Sequence, residues 1–194
     1  MSRKISCPTQ YDWVQVKQVI RYLKGTKNIK QKLGDPNERN GKQIIGYADA
    51  DWAGNVTDRK STSGYIFKYN GGTISWSSRK QSCVSLSSTE AEYIKIAEAC
   101  QEATYLKNLL LDFNQINEDS VIMYEDNQSC LKLIENEKMN QRTKHIDVKY
   151  HFAKSLKESG IVEFINCPTE DMVADLFTKP LLNIKLKKFS NGLV

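Results

Sequence analysis

Several features of secreted, zinc-binding and membrane proteins are missing from this 194-residue sequence. Its five cysteines are odd in number and far apart, and no two form a Cys-x-x-Cys pair, which excludes a disulfide framework and a zinc site. No apolar run approaches the roughly 18 residues of a membrane-spanning helix, and the first four residues lead into no apolar signal segment. We therefore predict a soluble, intracellular protein with reduced thiols and no membrane partner.

Internal repeats and low-complexity tracts are absent as well, so the chain is not a repeat array. What is present is an ordinary globular composition, 40% hydrophobic and 26% charged. The length suits one domain with its own core and an appendage. The formal net charge of +5 permits a polyanionic partner without requiring one.

A buried strand that ends in acidic residues is predicted at 44–52. Alternation places Asp49 and Asp51 on one face with Ile45 and Tyr47, and the run is apolar on both faces, which is typical of a central strand. Carboxylates on a rigid strand are suitable ligands for a divalent metal. The alternative interpretation is that both acids only solvate the strand end, and this stretch alone leaves the choice open.

Around this strand, the pattern predicts a mixed α/β sheet. Asn70-Gly71-Gly72 separates two runs rich in β-formers, which indicates a hairpin and makes the first three strands an antiparallel meander. Two later strands follow helical crossovers, so the first strand becomes central. The other predicted elements are strands at 64–69, 73–77, 121–124 and 161–165, helices at 9–24, 88–112 and 145–158, one after Asp126, and a short last helix after Pro168.

Three further acids lie on separate elements. Glu92 continues the apolar seam of the long helix, although a capping box from Thr89 would explain it, and a box from Ser87 to Glu90 would free it to point inward. Asp126 lies at a strand-to-helix junction, where it could be an N-cap or a ligand. Asp175 falls on the last helix, and its local pattern alone leaves it in solvent.

The order of elements brings these acids together. The carboxyl ends of the first and fourth strands would be neighbours, and the long helix and the last helix would add Glu92 and Asp175. Four carboxylates share one place only if cations offset their repulsion. Two magnesium ions would do so, and a paired-metal site is suited to in-line attack on a phosphodiester.

Eight motifs in this order resemble the ribonuclease H domain of copia-type LTR-retrotransposon Pol polyproteins, nearly from end to end. They are Pro8-Thr9…Trp13…Arg21–Thr26, Gly46–Gly54 (GYADADWAG), Asp58–Tyr65 (DRKSTSGY), Ile74–Ser78 (ISWSS), Leu86–Tyr93 (LSSTEAEY), Glu125–Gln128 (EDNQ), Arg142–Phe152 (RTKHIDVKYHF) and Ala174–Pro180 (ADLFTKP).

The resemblance implies a ribonuclease H-like fold, a five-stranded mixed sheet with helices on both faces. It implies two-metal hydrolysis of the RNA strand of RNA–DNA hybrids during reverse transcription, with Mg²⁺ as cofactor and Mn²⁺ as a substitute. It assigns the catalytic and metal-binding roles to four acids: Asp49, Glu92, Asp126 and Asp175. It assigns contacts with the hybrid backbone and minor groove to three polar residues: Ser88, Thr89 and Gln128.

The resemblance also sets expectations for domains and partners. Residues 1–40 would be the connection from a reverse transcriptase domain in the same polyprotein, 41–180 the ribonuclease H domain and 181–194 a basic tail. The oligomeric state is left open. The expected location is a cytoplasmic virus-like particle, with the nucleus a later alternative.

One departure from the wider ribonuclease H pattern bears on function. Asn166–Val173, the loop before the last acid, has no histidine, so product release or water positioning is unassigned. His145 and His151 are expected to hold a helix or touch phosphate rather than to bind metal. Asp51 matches no metal ligand of that pattern and is expected either to support the ligands from behind or to act on the substrate side. Three rivals remain: a catalytically idle ribonuclease H-like structural or hybrid-binding module, a DDE-type recombinase on the same fold, and a plain nucleic-acid-binding module.

Overall fold

The computed structural model describes residues 5–31, 33–34, 43–55, 57–117, 119–135 and 147–191, and these ranges contain five strands and five α-helices. Most of the predicted boundary loop (34–41), the basic stretch 137–144 and His145 lie outside them. In chain order the elements are α1 (Gln10–Gly25), β1 (Ile45–Asp51), β2 (Thr62–Tyr69), β3 (Gly72–Lys80), α2 (Ser88–Asp112), β4 (Val121–Glu125), α3 (Gln128–Glu135), α4 (Asp147–Glu158), β5 (Val162–Asn166) and α5 (Asn183–Asn191), with 3₁₀ helices at Thr169–Asp171 and Val173–Phe177.

The chain divides into two compact units, Met1–Gln31 and Lys32–Leu193. In the first unit, α1 begins with a capping box in which Asp12 N donates to Thr9 Oγ1 at 3.2 Å and Thr9 N donates to Asp12 Oδ2 at 2.8 Å. The predicted helix is confirmed, although Gly25 remains helical and Thr26 caps the end. The assignment of residues 1–40 to a polymerase connection stays a prediction.

The second unit is built on the mixed sheet that the sequence predicts, with strand order β3-β2-β1-β4-β5. β1, β2 and β3 pair as an antiparallel meander, and β4 and β5 add in parallel on the other side of β1. The hairpin turn is the predicted one. Asn70 and Gly71 both have positive φ, 50° and 70°, which is the backbone that Asn-Gly favours between twisted strands. The central position of β1 is confirmed.

The hydrophobic core lies on the sheet face covered by α2, α3 and α4. Ala48 and Met123 point into it, and the predicted seam of α2 packs on them through Ile96, Ala99 and Ala103, all fully buried. Each large apolar side chain moved out of water in this way contributes about 1.5–3 kcal/mol. This packing fixes α2 across β1.

The opposite sheet face is covered by the two 3₁₀ helices. Tyr47 and Tyr124, whose rings stack at 4.9 Å between centroids, pack there against Cys167, Met172 and Ala174. Helical segments therefore lie on both faces, as predicted. The predicted last helix is interrupted because Met172 has extended backbone, with φ −72° and ψ 91°.

The predicted basic tail contains a helix that the sequence pattern did not indicate. α5 buries Phe189 and places Lys185 beside the first 3₁₀ helix, with its Nζ 2.9 Å from the Thr169 carbonyl oxygen. No helix within the described ranges combines the length and apolarity that crossing a membrane requires.

Gly64 in β2 is required for the approach of the second 3₁₀ helix. It pairs with Asp49, and a Cβ there would lie 2.7 Å from Thr178 Cγ2 and 2.8 Å from Phe177 Cβ. We predict that Gly64→Ala lowers the free energy of unfolding by about 1–3 kcal/mol through overpacking, measured by urea denaturation.

The matched control for this prediction is Gly25→Ala in α1, where an added methyl group meets nothing within 4 Å. An alanine there should be neutral or stabilise by up to about 1 kcal/mol. Equal effects of the two substitutions would contradict the packing account of Gly64.

Candidate active site

Three acidic side chains from remote parts of the chain converge at one edge of the sheet. Asp49 lies in β1, Glu92 in α2 and Asp126 directly after β4, and each offers an oxygen within 4.8 Å of the others'. Asp49 and Glu92 are buried, and Asp126 is half-buried. Parallel pairing of β1 with β4, with Tyr47 opposite Tyr124, brings the first and third acids together.

The start of α2 determines where Glu92 points. Ser87 is the N-cap, since its Oγ accepts from Glu90 N at 3.2 Å, and Glu90 Oε2 accepts from Leu86 N at 2.6 Å. Of the two capping patterns, the structure therefore has the one that begins at Ser87. Glu92 is free of a capping role and turns towards the sheet.

Asp126 is likewise not used as a helix cap. The N-cap contact of α3 comes from the next residue, because Asn127 Oδ1 accepts from Cys130 N at 3.0 Å. Asp126 Oδ2 instead accepts from Thr169 Oγ1, also at 3.0 Å. The capping interpretation of Asp126 is therefore wrong.

Asp175 lies beside Asp49 but outside the set of three. It is 1% exposed, so the solvent position that its local pattern indicates is wrong. One ammonium group joins the two acids, with Lys179 Nζ 2.9 Å from Asp175 Oδ1 and 3.1 Å from Asp49 Oδ1. Lys185 Nζ lies 2.5 Å from the second oxygen of Asp175, and the hydroxyl of Thr178 donates to Asp49 Oδ2.

Burial and mutual repulsion shape the electrostatics of the acids. Burial raises the pKa of Glu92; the neighbouring Lys95 lowers it, and the charges of Asp49 and Asp126 raise it again. Burial lowers the pKa of Lys179, whereas the negative charges of Asp49 and Asp175 raise it. The acids have the larger effect, so the pKa is raised and Lys179 stays protonated. The site thus places positive charge between carboxylates.

The donor set fits a divalent metal ion. Carboxylate oxygens on separate rigid elements are the hard ligands that Mg²⁺ and Mn²⁺ prefer. The Glu92 Oε2 atom is buried and lies 2.7 Å from Lys95 Nζ, so the other oxygen of this carboxylate is the candidate ligand. Asp49, Glu92 and Asp126 could hold one ion, and Asp49 with Asp175 a second once Lys179 withdraws. Asp51 is outside the set of three.

The predicted substrate residues lie at the amino ends of two helices beside the acids. Ser88 and Gln128, the first residues of α2 and α3, are exposed, and Thr89 is half-buried. Helix amino ends favour phosphate groups. His151 is exposed on α4, which carries none of the four acids.

Sequence reasoning missed the lysines of this site. Lys95 is fully buried and pairs with Glu125. Lys179 and Lys185 each form an ion pair with Asp175. The one signal available was Glu125, a charged residue that ends an otherwise apolar strand and so needs a partner.

Curated relatives match nearly the whole chain. No family model matches the chain. The chain is 39% identical over 179 residues to the retrovirus-related Pol polyprotein from transposon TNT 1-94 of Nicotiana tabacum, covering 92% of this chain. It is 37% identical over 192 residues, 98% of its length, to that from transposon RE2 of Arabidopsis thaliana. The chain spans only 13% of the length of either polyprotein.

A third relative is much shorter. Secreted RxLR effector protein 161 of Plasmopara viticola is 52% identical over 101 residues, which are 52% of this chain and 67% of that protein.

Solved structures share the fold. LC11-RNase H1 superposes with a TM-score of 0.55 at 18% identity, over 76% of this chain and 97% of that one. The same enzyme in complex with an RNA/DNA hybrid gives a TM-score of 0.51 at 15% identity, over 70% and 94% of the two chains. The sheet topology and these similarities establish a ribonuclease H fold.

Lys179 should stabilise the metal-free protein. We predict that Lys179→Met lowers the free energy of unfolding in EDTA by about 1–3 kcal/mol, because Asp49 and Asp175 lose a shared cation. Added Mg²⁺ or Mn²⁺ should restore part of the loss. Urea unfolding with and without the ion measures both effects.

The matched control is Lys157→Met, which breaks a surface ion pair of 3.5 Å with Glu135. That change should cost less than about 0.5 kcal/mol and be insensitive to divalent ions. If the two variants behaved alike, Lys179 would have no special relation to the acids.

Proposed function

Because this chain belongs to the copia-type retrotransposon Pol polyprotein family, in the segment with a ribonuclease H fold, we propose that it is an endoribonuclease that hydrolyses the RNA strand of RNA–DNA hybrids. Its place would be reverse transcription in a cytoplasmic virus-like particle, with the polymerase domain of the same polyprotein as partner. The observation that carries the proposal is the convergence of Asp49, Glu92 and Asp126 within 4.8 Å. Acids brought together from three remote segments are hard to explain without cations.

The four acids have separate tasks in this proposal. Asp49, Glu92 and Asp126 hold one divalent cation, and Asp49 and Asp175 hold the other. When bound, such a pair of ions supplies a more acidic water and offsets charge on the attacked phosphate and the departing oxygen. The products are a 5′-phosphate and a 3′-hydroxyl.

The basic residues next to the acids prepare the site. Lys179 lies between Asp49 and Asp175, so it would have to leave at least one of them for a cation to bind there. Its side chain is 35% exposed, which gives it room to move. Once displaced, the ammonium group remains on the solvent side, where it can attract a phosphate of the substrate.

The hybrid is expected to cross the open side of the site. Ser88 and Thr89 begin α2 and Gln128 begins α3, and LC11-RNase H1, which shares the fold, has been solved with an RNA/DNA hybrid. Hydroxyl and amide groups can contact the minor groove, where 2′-hydroxyl groups distinguish RNA from DNA.

Loss of either central acid should abolish cleavage. We predict that Asp49→Asn and Asp126→Asn each reduce turnover of a labelled RNA–DNA hybrid by at least about 10³-fold while the fold is retained. EDTA should stop the native protein, and single-stranded RNA and duplex DNA should be spared.

Asp119→Asn is the matched control for these variants, because Asp119 is an exposed acid before β4. It should cut at the native rate. A catalytically idle module would bind hybrid without cutting it, and native turnover in Asp49→Asn would refute the assignment of the site.

Gln128→Ala tests the substrate side. We expect a higher KM for the hybrid with kcat little changed, because an exposed amide outside the metal ligands contributes to binding rather than to the chemical step. Steady-state kinetics at saturating Mg²⁺ separates the two constants. A selective loss of kcat would move Gln128 into the reacting centre.

A further inference from the structure

A fully buried lysine lies directly behind the acids. Lys95 is 0% exposed and follows Glu92 by three residues on α2, where such residues are neighbours. Its Nζ atom lies 2.7 Å from Glu92 Oε2 and 2.5 Å from Glu125 Oε2. It also donates a hydrogen bond of 3.0 Å to the Ala48 carbonyl oxygen. One ammonium group therefore contacts α2, β4 and β1 together.

These contacts lie next to all three converging acids. Ala48 directly precedes Asp49 in β1, and Glu125 directly precedes Asp126 at the end of β4. The second oxygen of Glu125 accepts from the Asn127 backbone N–H at 3.0 Å, which anchors the segment on both sides of Asp126. Lys95 thus joins the backbone positions from which two acids project and contacts the third acid itself.

The ammonium group of Lys95 is paired with two buried carboxylates. Its Nζ atom has no exposed surface, and its partners are Glu92 Oε2, Glu125 Oε2 and the Ala48 carbonyl oxygen. A buried ion pair costs desolvation on both sides, and apolar side chains of similar size often pack there at no loss of stability. Filling the core therefore does not account for Lys95 and Glu125.

We propose that Lys95 is a positioning residue of the metal site, which holds one oxygen of Glu92 and leaves the other free for a divalent cation. The same ammonium group offsets repulsion within the acid cluster, so the ligands are assembled before the cation arrives. Partners of metal ligands commonly have this orienting role. The inference rests on the proposed function and adds a residue from outside the four acids to it.

A thermal unfolding cycle in EDTA tests the link between Lys95 and Glu92 without metal or substrate. Glu92→Gln is made in the native chain and in a Lys95→Met/Glu125→Gln chain, which loses both buried charges together. Because Lys95 offsets the charge of Glu92, the Glu92→Gln substitution should raise Tm by about 2–4 °C more in the second chain than in the first. Equal shifts in the two chains would overturn the proposal.

The matched control is Asp126→Asn in the same two chains. It removes a charge from the same cluster, but Lys95 contacts the residue before it rather than its carboxylate. Its effect on Tm should depend on the chain less than that of Glu92→Gln does, because only the general offset of repulsion changes and no direct contact is lost. A background dependence as large as that of Glu92→Gln would mean that Lys95 does not act on Glu92 in particular, and would contradict the proposal.

A second variant decides the matter if the double substitution does not fold. Glu125→Gln retains Lys95 and the acceptor for Asn127 N–H. Adding Glu92→Gln then removes the other carboxylate paired with Lys95. The combined loss of Tm should exceed the sum of the single losses by about 2–4 °C, because a buried ammonium is left unpaired. Additive losses would overturn the proposal.

Manganese binding tests the positioning itself. Isothermal titration calorimetry should show that the Lys95→Met/Glu125→Gln variant binds Mn²⁺ about tenfold more weakly than the native chain. In a chain that already carries Glu92→Gln, adding this double substitution should not lower the Mn²⁺ affinity further. Native Mn²⁺ affinity in the folded variant would overturn the proposal. A native chain that binds no Mn²⁺ would contradict the proposed function, and the EDTA cycle would still decide the Lys95–Glu92 link.

Discussion

Repulsion between carboxylates held out of water is the constraint on which this structure depends. Asp49, Glu92 and Asp175 are each less than 10% exposed, and the elements that carry them are fixed by the core and by the packing of the second 3₁₀ helix on the sheet. Such a cluster persists only where positive charge is close by. That charge comes from lysines on α2, on α5 and after the second 3₁₀ helix.

These lysines fall into two classes that differ in burial. Lys95 is enclosed between α2, β1 and β4, so it is a permanent part of the scaffold. Lys179 is 35% exposed and bridges Asp49 and Asp175 from the solvent side, so a divalent cation can replace it. In the proposed function these two lysines have different roles: Lys95 orients a metal ligand, and Lys179 occupies a position that a divalent cation would take.

The sequence predicted the parts of the fold that depend on local pattern. Alternation in β1, the Asn70-Gly71 turn and the α2 seam are each dictated by backbone geometry or periodicity, and all are found in the structure. The convergence of Asp49, Glu92 and Asp126 was also foreseen, since strand order makes Asp49 and Asp126 neighbours and the apolar seam of α2 directs Glu92 to the sheet. Lys95 could not be foreseen, because a lysine is assigned to solvent unless a buried partner from a distant strand is known. α5 was missed for a similar reason: its basic residues suggested a tail, but Phe189 and Lys185 have partners elsewhere in the fold.

The central claim is that divalent cations occupy the space between these acids. The most direct measurement is anomalous diffraction from crystals of the protein grown with Mn²⁺. The account predicts a manganese peak bonded to Asp49, Glu92 and Asp126, with Lys179 moved away from Asp49 or Asp175 where a second ion binds. Crystals with no manganese between the three acids, and with Lys179 still joining Asp49 to Asp175, would contradict it.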